Sequence, residues 1–128
     1  MKTLTYSLFV AATLLSGLSA QERDDPNQVQ LSPRIAETLL IHKEEPPCHK
    51  DQPYGLKISG TVVIAIVIDK NGKVNRVRSL SGPSVLRPLA LAAVRKYLYK
   101  PYLHNHAPVV VRTVVSIPFD CFIHKGQA

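Results

Sequence analysis

A single run of β-branched residues constrains this chain more than any other feature. In residues 61–68 every position but one is Val, Ile or Thr, which favours a strand and is too short for an independent helix. Residues 69–72 are Asp-Lys-Asn-Gly, a turn with an Asn-Gly pair where positive φ is tolerated. Residues 73–80 predict a returning strand, in which Val74 and Val77 break the alternation and predict a bulge. The centre of the chain is therefore predicted to be a β-hairpin.

A helix is predicted after the hairpin. Apolar residues recur there at helical spacing, namely Leu86, Leu89, Ala90, Ala93, Val94 and Tyr97. Pro88 suits the first turn, where a missing N–H costs no helical hydrogen bond, so the helix is predicted to begin at about Pro88. Lys96 and Lys100 suit the C-terminal end of the helix dipole, and Pro101 stops the helix.

The last apolar segment, residues 109–119, predicts a strand with one buried face. Alternation places Val109, Val111, Thr113, Val115, Ile117 and Phe119 on that face. The opposite face holds Val110, Arg112, Val114, Ser116 and Pro118.

The element order is strand, strand, helix, strand. A right-handed crossover from the second strand to the last makes these two strands parallel. If the first strand lies between them, every pair of adjacent strands in the sheet is antiparallel. We therefore predict an α+β fold of ββαβ type, with a three-stranded antiparallel sheet in the order 2-1-3 and one main helix on one face.

The N-terminus predicts export. Lys2 precedes an uncharged apolar stretch from Leu4 to Leu18, and the small residues Ser19 and Ala20 follow. The stretch is shorter than the roughly 20 residues that span a bilayer, so residues 1–20 are predicted to be a signal peptide. The protein is then periplasmic or otherwise exported, and an uncleaved membrane anchor is the alternative.

The chain after the signal peptide divides into two parts. Residues 21–31 are polar and are predicted to be a flexible lead, and residues 32–124 form the domain. Ser32 and Pro33 predict the start of a short helix. A short strand is predicted at residues 39–43, before a proline-rich irregular segment.

Two cysteines, Cys48 and Cys121, match no metal or redox motif. In the 2-1-3 sheet Cys121 ends near the start of the first strand, and the segment with Cys48 leads into that start. A disulfide is therefore predicted, with free buried thiols as the alternative. A metal site of these cysteines with His49 and His124 is a weaker alternative, because the spacing is not diagnostic, and no metal is expected.

Composition excludes several function classes. The 128 residues suffice for one compact domain, and a net charge of +7 favours an acidic partner or an anionic surface. The acidic residues form no convergent pair, so neither catalysis nor a cofactor is predicted. A basic stripe lacks interleaved aromatic residues, so nucleic acid is not a predicted partner. The stripe consists of Arg76, Arg78, Arg87, Arg95 and Lys96.

Taken together, these segments resemble the C-terminal domain of TonB over roughly residues 32–119. The resemblance rests on Gly-Thr-Val-Val at 60–63, Ile-Asp-Lys-Asn-Gly-Lys-Val at 68–74, Ser-Gly at 81–82, Ala-Leu-Ala-Ala-Val-Arg at 90–95, Tyr-Lys-Pro-Tyr at 99–102, Asn105, Pro-Val at 108–109 and the segment 113–119. It implies a ββαβ fold and a role in TonB-type transmembrane transport. Domains of this family bind a short segment of an outer-membrane transporter by adding it as a strand beside their last strand.

That mode of binding indicates the site residues. The last strand is an edge in the 2-1-3 order, and an edge offers unpaired N–H and C=O groups to a partner backbone. The predicted peptide-binding edge is Val110, Arg112, Val114 and Ser116. The expected partner is a peptide of an outer-membrane transporter or another envelope protein, and homodimerisation through the same edge is an alternative. The competing function is a structural or interaction module of an envelope assembly without a transporter.

Overall fold

The computed structural model describes residues 26–48 and 55–123. Its helices are α1 (Pro33–Thr38) and α2 (Arg87–Val94). Its strands are β1 (Val29–Gln30), β2 (Leu40–His42), β3 (Leu56–Ile68), β4 (Val74–Ser81), β5 (Leu98–Tyr99), β6 (Leu103–His104), β7 (Ala107–Pro108) and β8 (Val111–Ile123). The predicted signal peptide, together with His49 and His124, lies outside the described residues. No helix within the two described ranges is long and apolar enough to cross a membrane.

The main sheet has four strands in the order β1-β8-β3-β4. The prediction of a three-stranded sheet is therefore incomplete, because β1 adds a fourth strand beside β8. β3 pairs antiparallel with β8 from Leu56 opposite Ile123 to Ile68 opposite Val111. The β-branched run thus lies in the centre of the sheet, and α2 packs across one face of it.

The hairpin of β3 and β4 has the predicted turn. The Asp69 carboxylate accepts hydrogen bonds from the N–H groups of Asn71 and Lys73, at 2.9 and 3.0 Å. Gly72 has φ +85°, a conformation that side chains rarely adopt. The register shifts between Val67 and Ile68, which confirms the bulge.

We expect Gly72→Ala to destabilise the fold by about 2–3 kcal/mol, because the new Cβ meets both positive φ and the Tyr99 carbonyl oxygen. The Gly72 carbonyl also accepts the Tyr99 N–H at 2.8 Å, so any shift of the turn disturbs β5. Urea denaturation gives the measurement, with the exposed neighbour Lys70→Ala as control. Equal midpoints for both variants would contradict the turn geometry.

α2 buries the predicted stripe but is shorter than predicted. Leu86, Leu89, Ala90, Ala93, Val94 and Tyr97 are all buried. The helix nevertheless ends at Val94, and the Tyr97 N–H bonds to the Val94 carbonyl in a tighter turn. Backbone N–H groups after the helix bond to residues that are distant in sequence. The Lys100 N–H, for example, donates to the Leu39 carbonyl at 2.7 Å. These contacts end the helix before Pro101 is reached.

The predicted flexible lead is partly ordered. Val29 and Gln30 form β1, parallel to β8, and Leu31 is 7% exposed in the core. The domain therefore begins before Ser32. Ser32 then caps α1 as predicted, since its hydroxyl accepts the Ile35 N–H at 3.4 Å, and β2 pairs with β5.

Cys48 and Cys121 are disulfide-bonded, with Cα atoms 5.5 Å apart. Cys121 is buried at the far end of β8, opposite Ile58 of β3. The predicted disulfide is thus present, and it fastens the segment after β2 to the main sheet.

Candidate functional site

The outer edge of β8 is divided into a covered part and an open part. The Val29 N–H donates to the Val110 carbonyl and the Leu31 N–H to the Arg112 carbonyl, both at 2.9 Å. Because backbone groups alternate in direction along a strand, the even-numbered residues of β8 turn theirs away from β3. β1 therefore covers the edge up to Arg112.

The four predicted edge residues fall on both sides of this boundary. Val110 and Arg112 already accept hydrogen bonds from the chain's own N-terminal segment. Val114 and Ser116 lie beyond it, and within residues 26–48 and 55–123 no strand pairs with β8 on that side. Val114 is half-buried and Ser116 is exposed. Among the described residues, the part of this edge that β1 leaves uncovered therefore begins at Val114.

A groove of about 180 Å³ lies beside the open edge. Its walls come from α1, β2 and the residue after it, the segment 97–99 that contains β5, and the middle of β8. The lining residues are Pro33, Ala36, Glu37, Leu40, Lys43, Tyr97, Tyr99, Val114, Val115 and Ser116. We call this the edge groove. No single segment of the sequence predicts the edge groove, because its lining residues come from three stretches that are far apart in the chain.

Two tyrosines line the edge groove from the core side. Tyr97 is 2% exposed, and its ring centroid lies 6.5 Å from that of Tyr99. Burial raises the pKa of Tyr97, with a smaller contribution from the negative charge of Glu45. Burial likewise raises the pKa of Tyr99 to about 12, helped by Tyr97 and Glu37. Both phenols are therefore neutral at physiological pH and keep their hydroxyl protons.

The outer face of the sheet is basic. Val67 of β3 has Arg112 opposite it on β8 and Arg76 opposite it on β4. In the next row, Ala65 lies between Val114 and Arg78. Residues directly opposite each other share a face, so these arginines surround a small apolar strip.

The predicted basic stripe does not form one surface. Arg87 donates from Nε to the Gly82 carbonyl at 2.9 Å, which is a structural contact. The Lys96 ammonium lies 3.8 Å from the Glu44 carboxylate, and Lys96 does not line the basic face. Only Arg76, Arg78 and Arg95 line the basic face together with Arg112.

The sequence profile of the Gram-negative bacterial TonB protein C-terminal family matches residues 55–121, which span β3 to the far end of β8. This chain belongs to the TonB C-terminal family. The match contains both halves of the hairpin, α2 and the open edge, and it confirms the resemblance predicted from the motifs. No curated protein matches the chain.

Membership of the TonB C-terminal family fixes the broad class of the site. The family consists of periplasmic, non-catalytic domains that interact with envelope and outer-membrane proteins. The matched segment begins after β1 and α1. The strand that covers the start of the β8 edge and the helix that lines the edge groove therefore lie outside the match. The alternative metal site loses its thiolate ligands, because both sulfurs are in the disulfide.

Sequence reasoning missed β1 and the edge groove. A faint signal for β1 was present, since Gln28 to Leu31 alternate polar and apolar residues. The groove has no such signal in the sequence, because the spacing of Tyr97 also fits the buried stripe of the helix.

Proposed function

We propose that this chain is an exported, non-catalytic domain that binds an extended segment of an outer-membrane transporter by strand addition. The observation behind the proposal is the open edge of β8 beyond Arg112. There Val114 and Ser116 direct N–H and C=O groups away from β3, and a partner strand satisfies such groups. Export by a signal peptide at residues 1–20 belongs to the same proposal.

Two further features support strand addition. The edge groove lies on the core side of the open edge and offers room for a partner side chain. The basic outer face lies on the opposite side, with Arg112 at the boundary between the covered and open parts. An added strand would alternate its side chains between these two environments.

A second candidate function is an interaction module of an envelope assembly without a transporter partner. One observation favours it: β1 already fills the start of the edge that a long transporter segment would use. The two functions differ in their partner and not in the chemistry of binding, so partner peptides distinguish them.

We expect Val114→Pro to weaken binding of a transporter segment at least tenfold, because proline removes an outward N–H donor. The fold should survive, since Pro118 occupies an equivalent outward-facing position of β8, opposite Thr61. The measurement is a fluorescence titration with labelled synthetic peptides that cover the periplasmic N-terminal segments of the host's outer-membrane transporters.

Val114→Ala is the matched control, since it shortens the same side chain but keeps the N–H, and it should bind within about threefold of wild type. Undiminished binding by a folded Val114→Pro variant would place the contact elsewhere. If no transporter peptide binds, the module without a transporter becomes the better explanation.

A further inference from the structure

Among residues 26–48 and 55–123, the Tyr97 hydroxyl is buried and has no hydrogen-bond partner. Native proteins satisfy nearly all such groups, because a buried hydroxyl without a partner destabilises the fold. Phe at this position would keep the ring and avoid the penalty. Tyr97 lines the edge groove, so a group that enters the groove is a candidate partner for its unsatisfied hydroxyl.

We propose that the edge groove is a side-chain pocket for the added strand, in which the Tyr97 hydroxyl donates a hydrogen bond to an uncharged amide side chain, Gln or Asn. This inference rests on the proposed strand addition and names the residue that the strand must present. Tyr97 then selects strands that present Gln or Asn at this position. Its hydroxyl, which is unsatisfied in the unbound domain, gains a hydrogen bond to that side chain in the complex.

The position of the groove connects it to the open edge. Val115 lines the groove, and its side chain is on the core side of β8. A strand added beside Val114 and Ser116 directs every second side chain to that same side. One of these side chains therefore points toward Tyr97 while its backbone pairs with β8.

The groove is small. At about 180 Å³ it is smaller than the roughly 300 Å³ at which small-molecule sites begin, and it matches a single side chain. Its apolar walls, which include Ala36 and Leu40, suit the methylene groups of such a side chain.

The charges around the groove favour an uncharged side chain. Its lining holds one carboxylate, Glu37, and one ammonium group, Lys43. Glu45 adds a second negative charge close enough to act on Tyr97. A charged side chain loses its hydration on entering such a groove, and an acidic one also meets this net negative charge. The Tyr97 hydroxyl can both donate and accept, and an amide side chain offers it an acceptor and a donor without carrying a charge.

The test uses the full chain and four acetylated peptides, Thr-Val-Thr-Xaa-Thr-Val-Thr, in which Xaa is Gln, Met, Glu or Lys. Met matches Gln in length but offers no amide. The wild-type chain should bind the Gln peptide about tenfold more tightly than the Met peptide, as one buried hydrogen bond predicts. Tyr97→Phe should reduce this ratio to about one without weakening the Met peptide. The melting temperature of Tyr97→Phe should equal or exceed that of wild type, because the unsatisfied hydroxyl is gone.

Tyr102→Phe is the matched control, since it deletes a phenol hydroxyl from a residue that does not line the edge groove, and it should keep the Gln preference. If Tyr97→Phe keeps that preference, or if the Glu or Lys peptide binds best, the inference is wrong while strand addition stands. Loss of all binding in Val114→Pro supports strand addition independently of the pocket. Absence of binding by every peptide to the wild-type chain overturns the pocket, and the transporter peptides then decide strand addition separately.

Discussion

Val94→Asp is expected to abolish folding of this domain. Val94 is 0% exposed and belongs to the cluster that holds Val62 and Ile64 of β3. An unpaired carboxylate in this position costs several kcal/mol, comparable to the entire stability of a small domain, about 5–15 kcal/mol. Circular dichroism of the purified variant should lack a cooperative thermal transition.

Ala92→Asp provides the control for this experiment. Ala92 is exposed on the same helix, so the variant introduces the same charge without burial. Its loss of helix propensity is larger than that of Val94→Asp, because Ala is a better helix former than Val. We expect it to lose less than about 1 kcal/mol. A Val94→Asp variant that melts like Ala92→Asp would mean that α2 turns a different face to the sheet.

Loss of the disulfide is expected to have the second largest effect. The bond joins residues 73 positions apart, and the chain-entropy model assigns a loop of that length about 4 kcal/mol. A Cys48→Ser/Cys121→Ser double variant should therefore lose much of its stability in urea denaturation. The local consequence is release of the segment after β2 from the far end of β8.

Reduced wild-type protein is the control for the double variant, and the two should denature at the same urea concentration. A difference between them would indicate that the serines perturb packing around the buried Cys121 position. A loss below about 1 kcal/mol in both would show that native contacts alone hold the segment in place.

The elements with strong local signals were predictable from sequence. The β-branched run and the Asp-Lys-Asn-Gly turn specify the hairpin by propensity and turn chemistry alone. The apolar stripe of α2 and the alternation along β8 identify buried faces, because both periodicities follow from backbone geometry. The disulfide followed from the predicted sheet, which brings Cys121 toward the segment before β3.

The elements that depend on distant partners were not predictable in the same way. β1 has only two residues, and it depends on the carbonyl groups of Val110 and Arg112, which accept the N–H groups of Val29 and Leu31. α2 ends at Val94 because Tyr99 and Lys100 bond to Gly72 and Leu39, far away in sequence. The predicted edge begins at Val110, and only the fold shows that the carbonyl groups of Val110 and Arg112 already accept hydrogen bonds from Val29 and Leu31.

β1 also has a consequence for self-recognition. Two copies related by a two-fold axis would pair β8 antiparallel with itself. With β1 in place, the longest such pairing runs over residues 114–122 and is centred on Pro118. In that pairing the two Pro118 residues face each other, and each would have to donate a backbone N–H to the carbonyl group of the other. Proline has no N–H, so both central hydrogen bonds are lost. A foreign strand meets one proline instead of two, and the edge therefore disfavours its own copy relative to other proteins.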